Sequence, residues 1–267
     1  MAAGPSAKWS SHKLECLAEY IQVYAASLKN SGCYIELFAA VPPHDGIEIR
    51  VMKIKNRFSR YIFVTRDTAN ASRLREVISP MDKEQSANII SGNCIREAVM
   101  RQVFDLIPRS TTSFALIDPP GYSSLRWSII KNLAMHGRDW QEHKTDLLII
   151  FPLEMALLRN LTRKECENSI NRLYGSNAWQ SIRQKRIDRL PLNHTRQELT
   201  ELYKTNLKSL GYKHVEDTEP AHFTNPPYYH VIWASDRFSR LKELKETWGK
   251  ERYLPGELFH EGENAGE

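Results

Sequence analysis

The segment FALIDPPGY, Phe114 to Tyr122, joins a strand to a turn rich in polar and constrained residues. Phe114 to Ile117 is a short apolar run of the kind that fills a strand covered on both faces, and the two prolines after it cannot continue a ladder. Asp118 therefore stands where the strand ends. Gly121 and the serines at 123 and 124 prolong the turn, and apolar periodicity resumes at Leu125 and runs to His136 as a helix.

The same unit recurs on either side. Upstream, Cys33 to Ala40 (CYIELFAA) is bounded by Ser31-Gly32 and by the loop Pro42-Pro43-His44-Asp45-Gly46. Arg60 to Thr65 (RYIFVT) leads into a helix around Asn70 to Ile78, and Ala87 to Ser91 (ANIIS) into one at Cys94 to Leu106. Downstream lies Asp146 to Phe151 (DLLIIF). Five strands with crossover helices predict a mainly parallel sheet covered on both faces, an arrangement that binds ligands outside the carboxyl ends of its strands.

The ends of the chain fit around this sheet. Leu14, Leu17, Ile21, Tyr24 and Leu28 mark one face of an opening helix over Ser10 to Lys29. Residues 154–190 read as a basic helical insertion, with Tyr174-Gly175-Ser176-Asn177 as an internal turn. A helix follows over Thr195 to Leu210, with Thr195 as N-cap and Glu198 as its capping-box partner. Tyr212 to Val215 and Tyr228 to Ala234 complete an antiparallel terminal hairpin. The predicted organisation is one domain over 1–248 and a polar tail over 249–267.

Composition narrows the function. With 37 basic and 32 acidic residues among 267, the net charge of +5 permits a polyanionic partner without demanding one. Arg183, Lys185, Arg186 and Arg189 form the candidate nucleic-acid surface, preceded by Arg159, Arg163, Lys164 and Arg172; the plainer reading is a solvated helix face. Cys16, Cys33, Cys94 and Cys166 have no CxxC spacing, so buried, reduced thiols and no metal are expected. No apolar run reaches the roughly 20 residues of a membrane span, and the first residues carry no signal-peptide pattern. A cytoplasmic protein without a membrane partner is the expectation.

Asp118-Pro119-Pro120-Gly121-Tyr122 is similar to the D/N-P-P-aromatic segment of amino-methyltransferases. That likeness implies that Asp118 and the Pro119 carbonyl accept hydrogen bonds from an exocyclic NH₂ while Tyr122 stacks on a flipped base. Gly121 departs from the pattern by separating the aromatic from the prolines. The plainer reading has the turn end the strand and Asp118 cap the next helix. Asn225-Pro226-Pro227-Tyr228 matches the letters but precedes a strand, and is read as a turn.

On the cofactor side the candidates are Glu36, Phe38 and Ala39 at the end of the first strand, Asp67 after the second and Asn93 after the third. Asp67 lies two residues beyond Thr65, where an acid for ribose hydroxyls is usual, and Asn93 is equally suited to a turn.

These segments, with KWSSHKLECLAEYIQVY, LYGSNAW and RLPLNHTRQELTELYKTNLKSLGY, resemble the three-Cys-motif partner protein (TcmP) family over most of the chain. The likeness implies a Rossmann-like class I methyltransferase fold, an S-adenosylmethionine cofactor and a partner resembling radical-SAM enzymes encoded nearby. The chain departs from it where the family tends to read DLFAGPG and this sequence has Glu36-Leu37-Phe38-Ala39-Ala40-Val41-Pro42. Two functions follow: a methyltransferase acting on a nucleobase amino group in DNA or RNA, or a catalytically degenerate relative that binds nucleic acid or protein.

Overall fold

The computed structural model describes residues 5–29, 31–40, 46–54, 58–82, 86–107, 111–136, 144–153, 157–218, 230–239 and 242. The strands are β1 (Cys33–Glu36), β2 (Arg60–Thr65), β3 (Ala87–Ser91), β4 (Ser113–Ile117), β5 (Asp146–Phe151), β6 (His214–Thr218) and β7 (His230–Ser235). They form one sheet in the order β3-β2-β1-β4-β5-β7-β6. β1 to β5 are parallel, and β7 runs antiparallel to both β5 and β6. This order and hand of pairing define a Rossmann-like class I methyltransferase fold.

Helices cover both faces because residues alternate across each parallel strand. Tyr34, Phe63, Phe114 and Leu148 project into one core, covered by α1 (Pro5–Ala26), α2 (Ile47–Met52) and α3 (Thr68–Ile78). Cys33, Ile35, Ile62, Ala115 and Ile149 project into the other, covered by α4 (Glu97–Leu106) and α5 (Trp127–His136). Between β5 and β6 the chain makes α6 (Leu158–Asn160), α7 (Glu167–Tyr174), α8 (Trp179–Ile187) and α9 (Leu192–Ser209). Ile170, Leu173, Trp179, Leu199 and Tyr203 tie these helices into the second core.

α1 spans the sheet from edge to edge. Leu17, Tyr20 and Ile21 seal it to the first core, and near its end the Tyr24 hydroxyl donates to Asp146 at the start of β5, 2.7 Å away. Its other end therefore reaches the carboxyl edge, where Lys13 meets Asp118.

Two local expectations are corrected. β1 stops at Glu36 rather than Ala40, because Leu37 and Phe38 turn and the Ala39 N–H reaches across to the carbonyl of Val64 at 3.0 Å. α9 opens at Leu192 after Pro191, not at Thr195, whose hydroxyl donates to the Pro191 carbonyl within the first turn. Proline ends the extended segment and leaves the next residues free to coil, so the Ser/Thr-x-x-Glu pattern falls inside the helix. The Asn225 to Tyr228 turn and the 249–267 tail lie outside the described residues.

Candidate functional site

Strand order reverses between β1 and β4, since the chain winds outward to β3 on one side and to β5 on the other. The crevice outside the carboxyl ends at such a reversal is where open α/β sheets take ligands. Glu36 ends β1, and Asp118 directly follows β4, so the two acids read from the sequence flank that crevice.

A third acid joins them. Glu48, on α2, is 3% exposed and Glu36 2% exposed, and the two carboxyls are hydrogen-bonded to each other. The Tyr34 hydroxyl donates to Glu36 Oε2 at 2.9 Å, and the Ala40 N–H donates to Glu48 Oε1 at 2.6 Å. Burial raises the Glu36 carboxyl well above the ordinary glutamate range, and the neighbouring Glu48 charge raises it further. Burial raises Glu48 as well, offset by the N–H groups it accepts from. The bond between them raises Glu36 and lowers Glu48, so of the two Glu36 holds a proton the more readily.

Asp118 is arranged differently. Its side chain is 27% exposed and its Oδ2 accepts from Lys13 Nζ at 2.5 Å. Its partner comes from α1, 105 residues earlier in the chain. Pro119 is buried beside it and Pro120 is exposed, so the turn presents the carboxylate at the open edge. Tyr122 is not at that edge. Its ring is buried in the second core, and its hydroxyl, pushed up to about 12 chiefly by burial, bonds the Cys166 thiol. The stacking role expected of Tyr122 is therefore corrected: core packing has claimed the ring.

The remaining cofactor-side candidates spread along the same edge. Phe38 is half-buried against the second core and Ala39 is buried in the first. Asp67 is the exposed N-cap of α3, accepting from the Asn70 backbone N–H at 2.8 Å and from its side-chain amide at 3.2 Å. Thr65 is buried, with its hydroxyl donating to the Asp67 carbonyl at 3.1 Å. Asn93 is exposed and accepts from the Ile95 N–H at 3.0 Å, as in an Asx turn. Glu36 and Asp118 are brought together with Glu48; Asp67 and Asn93 stand apart, each engaged in its own turn.

Glu48 and Lys13 are the residues the sequence did not announce. The only hint of Glu48 is an acid between Ile47 and Ile49, both buried. Lys13 lies on α1 one turn before Leu17, which places it at the rim of the apolar face.

The basic run falls elsewhere, on α8 and after it. Arg183 bonds Glu167 at 3.4 Å and the Thr162 carbonyl at 3.3 Å, Lys185 pairs with Glu198 at 2.9 Å, and Arg186 donates to the Leu190 carbonyl at 2.8 Å. Arg189 is exposed with a positive φ of 75°. Arg183, Lys185 and Arg186 tie the helical lobe together.

Among the described residues no group of three or more His, Cys, Asp or Glu side chains could hold a metal ion, and no helix is long and apolar enough to cross a membrane. No protein-family model matches the chain, and no curated protein matches it. Among solved structures the chain is similar to M. jannaschii TYW2 in complex with AdoMet, at 10% identity over 88% of this chain and 77% of that one, with a TM-score of 0.43. It is similar to the O-methyltransferase from Bacillus cereus in complex with SAH, at 11% identity over 88% and 83%, TM-score 0.43. The METTL16 MTase domain gives 9% identity over 80% and 64%, TM-score 0.45. The fold assignment itself rests on strand order and direction.

Proposed function

We propose that this protein is an S-adenosylmethionine-dependent methyltransferase whose target is an amino group of a nucleobase. The observation that carries this reading is the pairing of Glu36 and Asp118 across the strand-order reversal, one acid buried and the other at the open edge.

The residues present fit the cofactor in charge. S-adenosylmethionine is cationic at its sulfonium and amino groups, and the β1 end offers the two buried carboxyl groups of Glu36 and Glu48. Phe38 and Ala39 would line its path, with Asp67 and Asn93 along the neighbouring strand ends. When bound, the cofactor supplies an electrophilic methyl group. Asp118 and the Pro119 carbonyl would accept the two N–H groups of the target amine and so aim its lone pair, and the Asp118 carboxylate would offset the positive charge developing on nitrogen. Lys13 positions Asp118.

A second reading, a degenerate methyltransferase fold that serves as a nucleic-acid- or protein-binding partner, draws on one feature. The Ala40 N–H is engaged by Glu48 and Asp118 by Lys13, so groups that would meet ligands already have internal partners. In either case we place the chain beside the three-Cys-motif partner proteins on the segments quoted above, and a radical-SAM-like protein encoded nearby belongs to the same proposal.

The test is transfer of labelled methyl from S-adenosylmethionine to single-stranded DNA and RNA oligonucleotides, by the wild type and by Asp118→Ala. Transfer by the wild type that falls about a hundredfold in the variant is expected. No transfer to any of these substrates, with the protein folded and the cofactor bound, would favour the degenerate reading.

A further inference from the structure

Behind the Asp118 turn, α5 and the end of α7 border an open cleft of about 640 Å³. Arg126 and Lys131 project from the α5 side, Arg172 from α7, and the amides of Asn168, Asn171 and Asn177 complete the wall. No Asp or Glu lines it among the described residues. Arg126 is eight residues past Asp118 in the sequence, and the one-turn helix Tyr122–Ser124 between them packs on α7.

The hydrogen-bond pattern leaves donors facing this space. Arg126 Nε is shielded from water and has no partner among the described residues. Among the described residues Arg172 commits its Nε, to the Asn168 carbonyl at 3.2 Å. Asn171 accepts from Trp179 Nε1 at 2.7 Å, and that bond fixes its carbonyl oxygen and leaves its amide nitrogen to donate. A wall of donors and cations without an acceptor of matching charge suits a phosphate group.

An aromatic ring completes the wall. Gly175 ends α7 at φ +69°, and a side chain there would collide with Trp127, so glycine both permits the left-handed turn and lets the indole lie across it. Cations and an indole in one cleft match single-stranded nucleic acid, whose backbone is anionic and whose bases stack on aromatic faces.

We propose that this cleft is a phosphate-ester site that holds the backbone of a single-stranded nucleic acid beside the Asp118 turn, an inference that rests on the nucleobase target proposed above. Arg126, Lys131 and Arg172 contact the phosphates, and Trp127 supports a base.

The experiment is fluorescence anisotropy of a labelled single-stranded oligonucleotide across a salt series, with adenosine monophosphate and inorganic phosphate as competitors and no S-adenosylmethionine present. Lys131→Glu, on an exposed side chain, and Arg126→Ala with Lys131→Ala are the variants. The proposal expects each to weaken binding by about tenfold or more and to flatten the salt dependence by about one ion per cation removed. Adenosine monophosphate binding that Lys131→Glu abolishes, without oligonucleotide binding, would keep the phosphate site and assign it to free nucleotides. Oligonucleotide affinity and salt slope unchanged in both variants, or no binding of either phosphate ester by the wild type, would overturn it. Loss of methyl transfer or of cofactor binding alone would count against the methyltransferase reading and leave this site standing.

Discussion

At the ends of β1 and β4 three carboxyl groups lie in or beside the core and each has a partner from the chain itself: Tyr34 for Glu36, Ala40 for Glu48, Lys13 for Asp118. In the cleft behind them three cations line open space, and no carboxylate among the described residues answers them. Burying a charge is costly unless it is paired or protonated, so the acidic site had to be completed internally before it could exist. Lys131 and Arg172 in the cleft are exposed and face no such requirement, while Arg126 is half-buried with its Nε unpartnered among the described residues. Their counter-charge is free to come from a ligand.

The largest effect that would separate the two regions is on chemistry. Asp118→Ala should cost about a hundredfold in methyl transfer. Its thermal stability should change by less than about 1 kcal/mol, because the Lys13 pair it breaks is partly exposed. Transfer assays beside a denaturant titration read both. A drop in activity that merely follows lost stability would show that Asp118 is structural.

The cleft, by contrast, depends on backbone geometry at one residue. Gly175→Ala places a methyl group against Trp127 in a left-handed turn, and we expect about 2–4 kcal/mol of destabilisation in urea unfolding. A change below about 1 kcal/mol would mean that Trp127 can swing away, and the aromatic wall with it.

A smaller, pH-dependent effect probes the acidic pair. The Glu36 carboxyl is raised above its unfolded value, so the folded state holds a proton that the unfolded chain releases earlier. The stabilisation linked to it is complete below the ordinary glutamate range and is lost as pH rises toward and through the folded value. Glu36→Gln keeps a neutral donor toward Glu48 and removes this titration. The Tm of the wild type should therefore fall more than that of the variant as pH rises above the ordinary glutamate range; parallel curves would refute the raised Glu36 carboxyl.

The smallest effect belongs to the lobe. Lys185 already pairs with Glu198 at the surface, and Lys185→Ala should change stability by less than about 0.5 kcal/mol and leave oligonucleotide anisotropy unmoved. Should it weaken oligonucleotide binding as much as Lys131→Glu does, the contrast between a self-satisfied lobe and an open cleft would fail.

The sheet was legible because buried parallel strands write themselves as apolar runs: RYIFVT, FALI and DLLIIF fall where β2, β4 and β5 lie. The end of β1 was not, since LFAA after Glu36 is as apolar as the strand, and only the bond from Ala39 to Val64 shows the turn. Within the site, Glu36 and Asp118 were readable because each stands at a strand end. Glu48 was hidden because a short helix packed on a buried acid looks, in sequence, like any charged residue among isoleucines. Tyr122 misled for the opposite reason: the letters matched a stacking aromatic, while the ring is packed in the second core. The run Arg183 to Arg189 drew attention as a block, yet charge density along a helix says nothing of which cations are already paired. Arg126, Lys131 and Arg172 come together only through the packing of α5 on α7.

Titration calorimetry with S-adenosylmethionine addresses the β1–β4 crevice directly, using the wild type, Glu36→Gln and Glu36→Ala. Binding in the micromolar range is predicted for the wild type, kept within about threefold by the glutamine, which preserves the neutral donor, and weakened about tenfold or more by the alanine, which leaves Glu48 buried and unpartnered by it. No heat from the wild type at millimolar ligand would contradict a cofactor site at these strand ends.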